Sequence, residues 1–125
     1  MKIERATSPE ENARLIRRYG DGFIVVNEAT IETSVILTPT TFDTNWPPES
    51  FDELTAAHME MLLATEPDLV LLGTGRVQRF PKPEIMAPLY QGGVGVEVMQ
   101  TAAACRTFNI LLNEGRKVAA ALLMI

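Results

Sequence analysis

Residues 92–109 read GGVGVEVMQTAAACRTFN, and the fold is decided here. Val94, Val96 and Val98 alternate with Gly95 and Glu97, the period of a strand. Met99-Gln100 makes a tight exit, and the run from Thr101 onward has the propensity of a helix. Gly115 stands where such a helix would end, at the position after its last turn. A strand feeding a helix in this way is half of a crossover unit, so the reading is extended to both sides.

Upstream, Leu69-Val70-Leu71-Leu72 is a continuous apolar run ending at Gly73, the look of a strand covered on both faces. The connection that follows carries Pro81, Pro83 and Pro88 and has room for a short helix over 84–91. Downstream, residues 118–123 form a last strand whose Ala119-Ala120-Ala121 suits close packing against a helix. The second half therefore reads βαβαβ with parallel strands.

The first half reads differently. Ser8-Pro9-Glu10-Glu11 has the form of a capping box with a short helix over 9–12. β-Formers over 15–19, a Gly20-Asp21-Gly22 turn, Phe23-Ile24-Val25-Val26, an Asn27-Glu28 turn and a longer strand over 30–38 make an antiparallel meander. In that longer strand Ile31, Thr33, Val35 and Leu37 share one face, and Glu32, Ser34 and Ile36 the other. Thr38-Pro39 closes it, because proline removes a ladder donor. Residues 40–48 read as loop, with Trp46 a plug at the sheet edge or, in the alternative, an aromatic lid. Ser50-x-x-Glu53 is a second capping box, predicting a helix over 51–65 with Leu54, His58, Met61, Leu62 and Thr65 on one side. The fold class is α/β in the mixed α+β sense: one layered domain over 1–125, a meander followed by a βαβαβ unit, forming a mixed sheet with helices packed on it.

Composition narrows the function. A chain of 125 residues with 46% apolar content is the size of one globular domain, able to bury roughly 65–70% of its unfolded surface. A net charge of −5 with scattered cations argues against nucleic acid, which needs clustered Lys and Arg. One cysteine and one histidine exclude an intrachain disulfide and the usual Cys- or His-rich metal sites. The residue pattern calls for no cofactor. The opening residues lack the apolar core of a signal peptide, and no apolar run approaches the ~20 residues that span a bilayer. The expectation is a soluble cytoplasmic domain, compatible with peripheral attachment to a membrane complex.

Candidate chemistry gathers at the carboxyl ends of two neighbouring strands, where ligands of open α/β sheets lie. Gly73-Thr74-Gly75 is a poor dinucleotide loop: the third glycine position is Gln78, and prolines rather than a helix follow. A small-molecule or anion pocket there would be bordered by Gly73, Thr74, Gly75, Arg76, Glu97, Thr101, Cys105, Arg106 and Asn109. Cys105 beside Arg106 reads either as a buried packing residue or as a reactive thiol. Glu97 reads as half of an ion pair with Arg106 or Arg76, or as an acid–base carboxylate. His58 has no ligand-spaced partner and reads as a boundary or core residue.

These residues carry a resemblance. Tyr19-Gly20-Asp21-Gly22-Phe23, Gly73-Thr74-Gly75 and above all the string Glu97-Val98-Met99-x-Thr101-x-x-Ala104-Cys105-Arg106-Thr107-Phe108-Asn109 resemble a family of small domains of largely unknown function. It includes the mitochondrial NADH dehydrogenase (complex I) alpha-subcomplex assembly factor 3, the adipogenesis-associated Mth-domain protein and many short bacterial proteins. The likeness covers about residues 14–123. It implies a compact layered α/β domain, an extended N-terminal segment, and action through protein contacts rather than through established catalytic residues. Asn27-Glu28 departs from the Asn-Gly turn expected of relatives, which weakens a type I′ turn. With no mitochondrial presequence, the chain looks like a bacterial-type stand-alone member. The resulting expectation is a non-enzymatic protein-interaction or assembly module of unknown oligomeric state. The alternative is a small enzyme or ligand-binding protein using the cleft near Gly73–Gly75 and Cys105–Arg106.

Overall fold

In the computed structural model, which describes residues 15–125, the strands divide between two sheets. The short helix expected over 9–12 lies outside the described residues. The first sheet is antiparallel: β1 (Ile16–Gly20), β2 (Phe23–Val26) and β3 (Ala29–Ile31) in that order. Gly22 turns β1 into β2 at φ +79, and Asn27 turns β2 into β3 at φ 52 while Glu28 stays out of the left-handed region. The Asn27-Glu28 turn thus lacks the second positive φ that a type I′ turn requires.

The second sheet has five strands: β4 (Val35–Leu37), β5 (Phe42–Asp43), β6 (Leu69–Gly73), β7 (Gly95–Met99) and β8 (Val118–Leu122), ordered β5-β4-β8-β6-β7. β6 pairs in parallel with both β7 and β8, while β4 runs antiparallel to β8 and to β5. The parallel βαβαβ unit is as expected. Two details of the first half differ. The single strand expected over 30–38 is two strands, β3 and β4, which belong to different sheets. Residues 42–43, expected to be loop, form the short edge strand β5. β4 is buried at all three positions, so both of its faces are covered.

Register shows where the core sits. Leu37, Ala120, Leu71 and Glu97 form one cross-strand row, and Ile36, Ala121, Leu72 and Val98 the next. Side chains alternate faces along each strand, so the two rows supply two separate cores. Val35, Leu37, Leu71, Ala120 and Leu122 join Ile16, Ile24 and Val26 of the small sheet and Ala104, Cys105 and Phe108 of helix α3 (Thr101–Asn113). On the opposite face Ile36, Val70, Leu72, Ala119 and Ala121 meet Met59 and Leu62 of α1 (Ala56–Leu63) and Met86 and Leu89 of α2 (Pro83–Gln91). Ala119, Ala120 and Ala121 are wholly buried, and their small side chains leave room for helices above and below β8.

The helix starts follow local chemistry. α1 does not begin at Ser50, whose side chain makes no cap bond; residues 51–53 form a single 3-10 turn. The cap is Thr55. Its Oγ1 accepts from His58 N (3.4 Å), and His58 Nδ1 accepts from Thr55 N (3.1 Å), a reciprocal box in which histidine replaces the usual Glu. The sole histidine is therefore a capping residue. Met59 and Leu62 are the buried side of α1, while Met61 is exposed. Trp46 is buried and donates Nε1–H to His58 O at 3.0 Å, the plug its composition suggests. α3 spans the expected residues, and Gly115 follows it at φ +73.

Candidate functional site

The carboxyl ends of β6 and β7 are neighbours: Gly73 pairs with Met99, and Thr74 N donates to Met99 O at 2.9 Å. Thr101, at the start of α3, closes this corner from above. Its hydroxyl accepts from Gly75 N (2.8 Å) and donates to Leu123 O (2.6 Å). A Cβ added at Gly73 would lie 2.9 Å from Thr101 Oγ1 and 3.1 Å from its Cα. That glycine exists to let helix and strand approach. Gly75 sits at φ +97, a conformation that other residues adopt at a cost.

The nine candidate residues separate by role. Gly73, Thr74, Gly75 and Thr101 are buried together. Cys105 lies one turn further along α3, fully buried, and desolvation pushes its thiol from 9.0 up to about 12, against the opposing pull of the Arg106 charge. Asn109 is spent on the small sheet: Oδ1 accepts from Ile16 N (2.9 Å) and Nδ2 donates to Ile16 O (2.8 Å). It thus mimics a strand partner for β1. Arg106 Nη1 donates to Tyr19 Oη at 2.7 Å on the same seam.

Glu97 does not form the expected ion pair. It is exposed, and its expected partners are engaged elsewhere: Arg106 with Tyr19, and Arg76 with Asp21 at 3.1 Å. The reason is topological. β7 pairs with β6 alone, so it is an edge strand rather than the buried strand its valines suggest, and a carboxylate at an edge keeps its hydration. Just past the end of α3, Glu114 and Arg116 come within 4.0 Å of each other.

A thiol so placed has a measurable consequence. At pH 8, a disulfide reagent should modify Cys105 at least about 100-fold more slowly in the folded protein than in urea, because attack requires opening of the core. Rapid modification of the folded chain would contradict the burial. The raised folded value also sets a sign: stability from the neutral thiol is complete below pH 9.0 and is lost progressively as pH rises towards about 12, since the unfolded chain ionises first.

One surface that sequence reading did not single out lies beside this corner. The loop 74–82 presents Phe80, 74% exposed, and Val77, 61% exposed. Its backbone is nonetheless pinned. Thr74 Oγ1 donates to Val77 O (2.6 Å) and accepts from Arg79 N (3.2 Å), and Gln78 Nε2 donates to Val98 O on the β7 edge (2.8 Å). Arg79 stacks 4.1 Å over the Phe51 ring and pairs with Asp52 at 3.3 Å. The available signal was a proline-flanked loop in which Val77 and Phe80 interleave with Arg76, Arg79 and Lys82. Among the described residues no group of three or more His, Cys, Asp or Glu could hold a metal, and no helix is long and apolar enough to cross a membrane.

Fold and corner together define a small mixed α/β domain, two sheets clamped on one helix, whose distinctive polar residues serve its own architecture. The chain belongs to the family described as a protein of unknown function (DUF498/DUF598), whose model matches residues 16–123. It is similar to the NADH dehydrogenase [ubiquinone] 1 alpha subcomplex assembly factor 3 of Bos taurus, 33% identical over 114 residues, which cover 89% of this chain and 61% of that protein. It is also similar to the 13 kDa major membrane protein of Francisella tularensis subsp. holarctica, 36% identical over 70 residues, covering 56% of this chain and 57% of that one. The chain thus spans 57–61% of the length of these two curated relatives. Among solved structures, a crystal structure of a Bordetella parapertussis protein superposes with a TM-score of 0.81 at 38% identity, covering 89% of this chain and 95% of that one. The family and the mixed layered fold expected from the sequence are both as found.

Proposed function

We propose that the chain is a non-enzymatic protein-interaction module of the assembly-factor kind, docking a protein partner through the loop 74–82. The observation that supports it is the pairing of a pinned backbone with exposed Val77 and Phe80. A preorganised loop loses little entropy on binding, and aromatic and Arg side chains are the residue types that dominate interface energies. Of the nine candidate residues, Thr74, Gly75 and Arg76 shape this surface. Thr101, Cys105 and Asn109 act beneath it or away from it.

The relatives support the same reading. The bovine protein is named as an assembly factor, and the carried-over part is the domain the two chains share. The Francisella relative is named for a membrane, which suits peripheral contact with a membrane-bound complex by a cytoplasmic protein. The test is crosslinking followed by affinity capture of the tagged chain, compared with a Val77→Ser/Phe80→Ser variant. The wild type is expected to retain a stoichiometric partner, and the variant to lose it by about tenfold or more. Recovery of no such partner by the wild type would remove the module reading. Equal recovery by both proteins would remove the loop as its surface.

A further inference from the structure

At the opposite end of the large sheet, beside the amino ends of β6 and β8, lies a cleft of about 340 Å³. That volume falls within the range of small-molecule sites. Its apolar wall is Pro39, Pro67, Leu112 and Val118, and its polar rim is Thr40, Arg116 and Lys117. The walls are set by the fold. Thr38 Oγ1 meets Thr41 Oγ1 at 2.7 Å and accepts from Thr41 N at 3.0 Å, fixing the β4–β5 turn. Lys117 O accepts from Asp68 N at 2.8 Å, and Arg116 N donates to Leu111 O at 3.1 Å. Thr65 Oγ1, also in the lining, is spent on Leu62 O at 2.8 Å.

What remains is a set of donors without strong acceptors. Among the described residues the Lys117 ammonium and the Thr40 hydroxyl make no hydrogen bond or ion pair. The Arg116 guanidinium has a loose contact, 4.0 Å from Glu114 Oε1, with both side chains about half exposed. Glu66 and Asp68, the acids either side of Pro67, do not line the cleft. In a chain of net charge −5, an apolar cleft rimmed by two adjacent cations is selective by sign: an anionic headgroup is attracted there and an uncharged one is not.

We infer that this cleft binds a small amphiphilic carboxylate, with its headgroup on Arg116 and Lys117 and a short apolar body against Pro39, Pro67, Leu112 and Val118. The inference is independent of the docking surface at the other end of the sheet.

Two-dimensional amide NMR of the full chain, titrated with octanoate, octanol and inorganic phosphate, tests it. Octanoate is expected to shift the amides of Thr38, Thr40, Thr65 and 115–118 saturably. Octanol should bind there roughly three- to tenfold more weakly, and phosphate without saturation. An Arg116→Gln/Lys117→Gln variant, altered at exposed positions alone, should keep the native spectrum and bring octanoate down to the level of octanol. Equal binding of octanoate and octanol to the wild type would overturn the charge recognition. Phosphate binding as tight as octanoate would overturn the apolar body. Absence of saturable shifts in the cleft would overturn the site.

Discussion

Phe108→Ala should cost about 3–5 kcal/mol of folding stability, the range for deleting a fully buried aromatic ring from a core. Phe108 is wholly buried in the cluster that contains Ile16, Ile24 and Val26 from the small sheet and Leu71, Ala120 and Leu122 from the large one. Most of the small sheet's apolar burial passes through this cluster, since β1 rests on α3 and β3 has no partner beyond β2. Against a typical total of about 5–15 kcal/mol, such a loss leaves the variant marginal. Urea unfolding should show a much lower midpoint, whereas Phe108→Leu, close to it in volume, should cost less than about 1.5 kcal/mol. A loss below about 1 kcal/mol for the alanine variant would mean that the surroundings collapse into the space, and that α3 is not the clamp between the sheets.

The same clamp explains what could be read from the residues and what could not. β6 was legible because a strand covered on both faces needs an unbroken apolar run, and Leu69–Gly73 supplies one. α3 was legible because its start, its alanines and its terminal Gly115 agree with one another. The break between β3 and β4 left no mark. The two-residue period of Ile31, Thr33, Val35 and Leu37 runs straight through it, and Ile31, Val35 and Leu37 face one core although they lie in two sheets. The start of α1 was misread because Ser50-x-x-Glu53 matches the usual capping pattern, while Thr55-x-x-His58, which forms the box, does not. The candidate site depended on long-range placement. Asn109 serves Ile16, 93 positions away, and no local pattern says which strand will lie across a helix. Glu97 has the right parity for the α3 face, but parity does not reveal that its strand is at the edge.

Thr101→Val is expected to destabilise the protein by about 2–6 kcal/mol, because two buried backbone groups lose their partner at once and each costs about 1–3 kcal/mol when left unsatisfied. Those groups are Gly75 N–H and Leu123 C=O, held by one hydroxyl at 2.8 and 2.6 Å. Valine keeps the shape of threonine, so little cavity or strain enters the comparison. Thr101→Ser keeps the hydroxyl and loses a methyl, worth roughly 0.8 kcal/mol, and should retain most of the stability in denaturant unfolding. If the serine variant falls as far as the valine one, packing rather than hydrogen bonding holds the corner. The measurement also separates two meanings of the Glu-Val-Met-x-Thr string. A threonine that ties β6, α3 and the chain after β8 together acts on stability, and its loss should weaken partner capture in proportion to the unfolded fraction. A threonine that served a ligand at this corner would leave the unfolding midpoint in place and remove binding alone. The buried position of Thr101 and its two short bonds predict the first outcome.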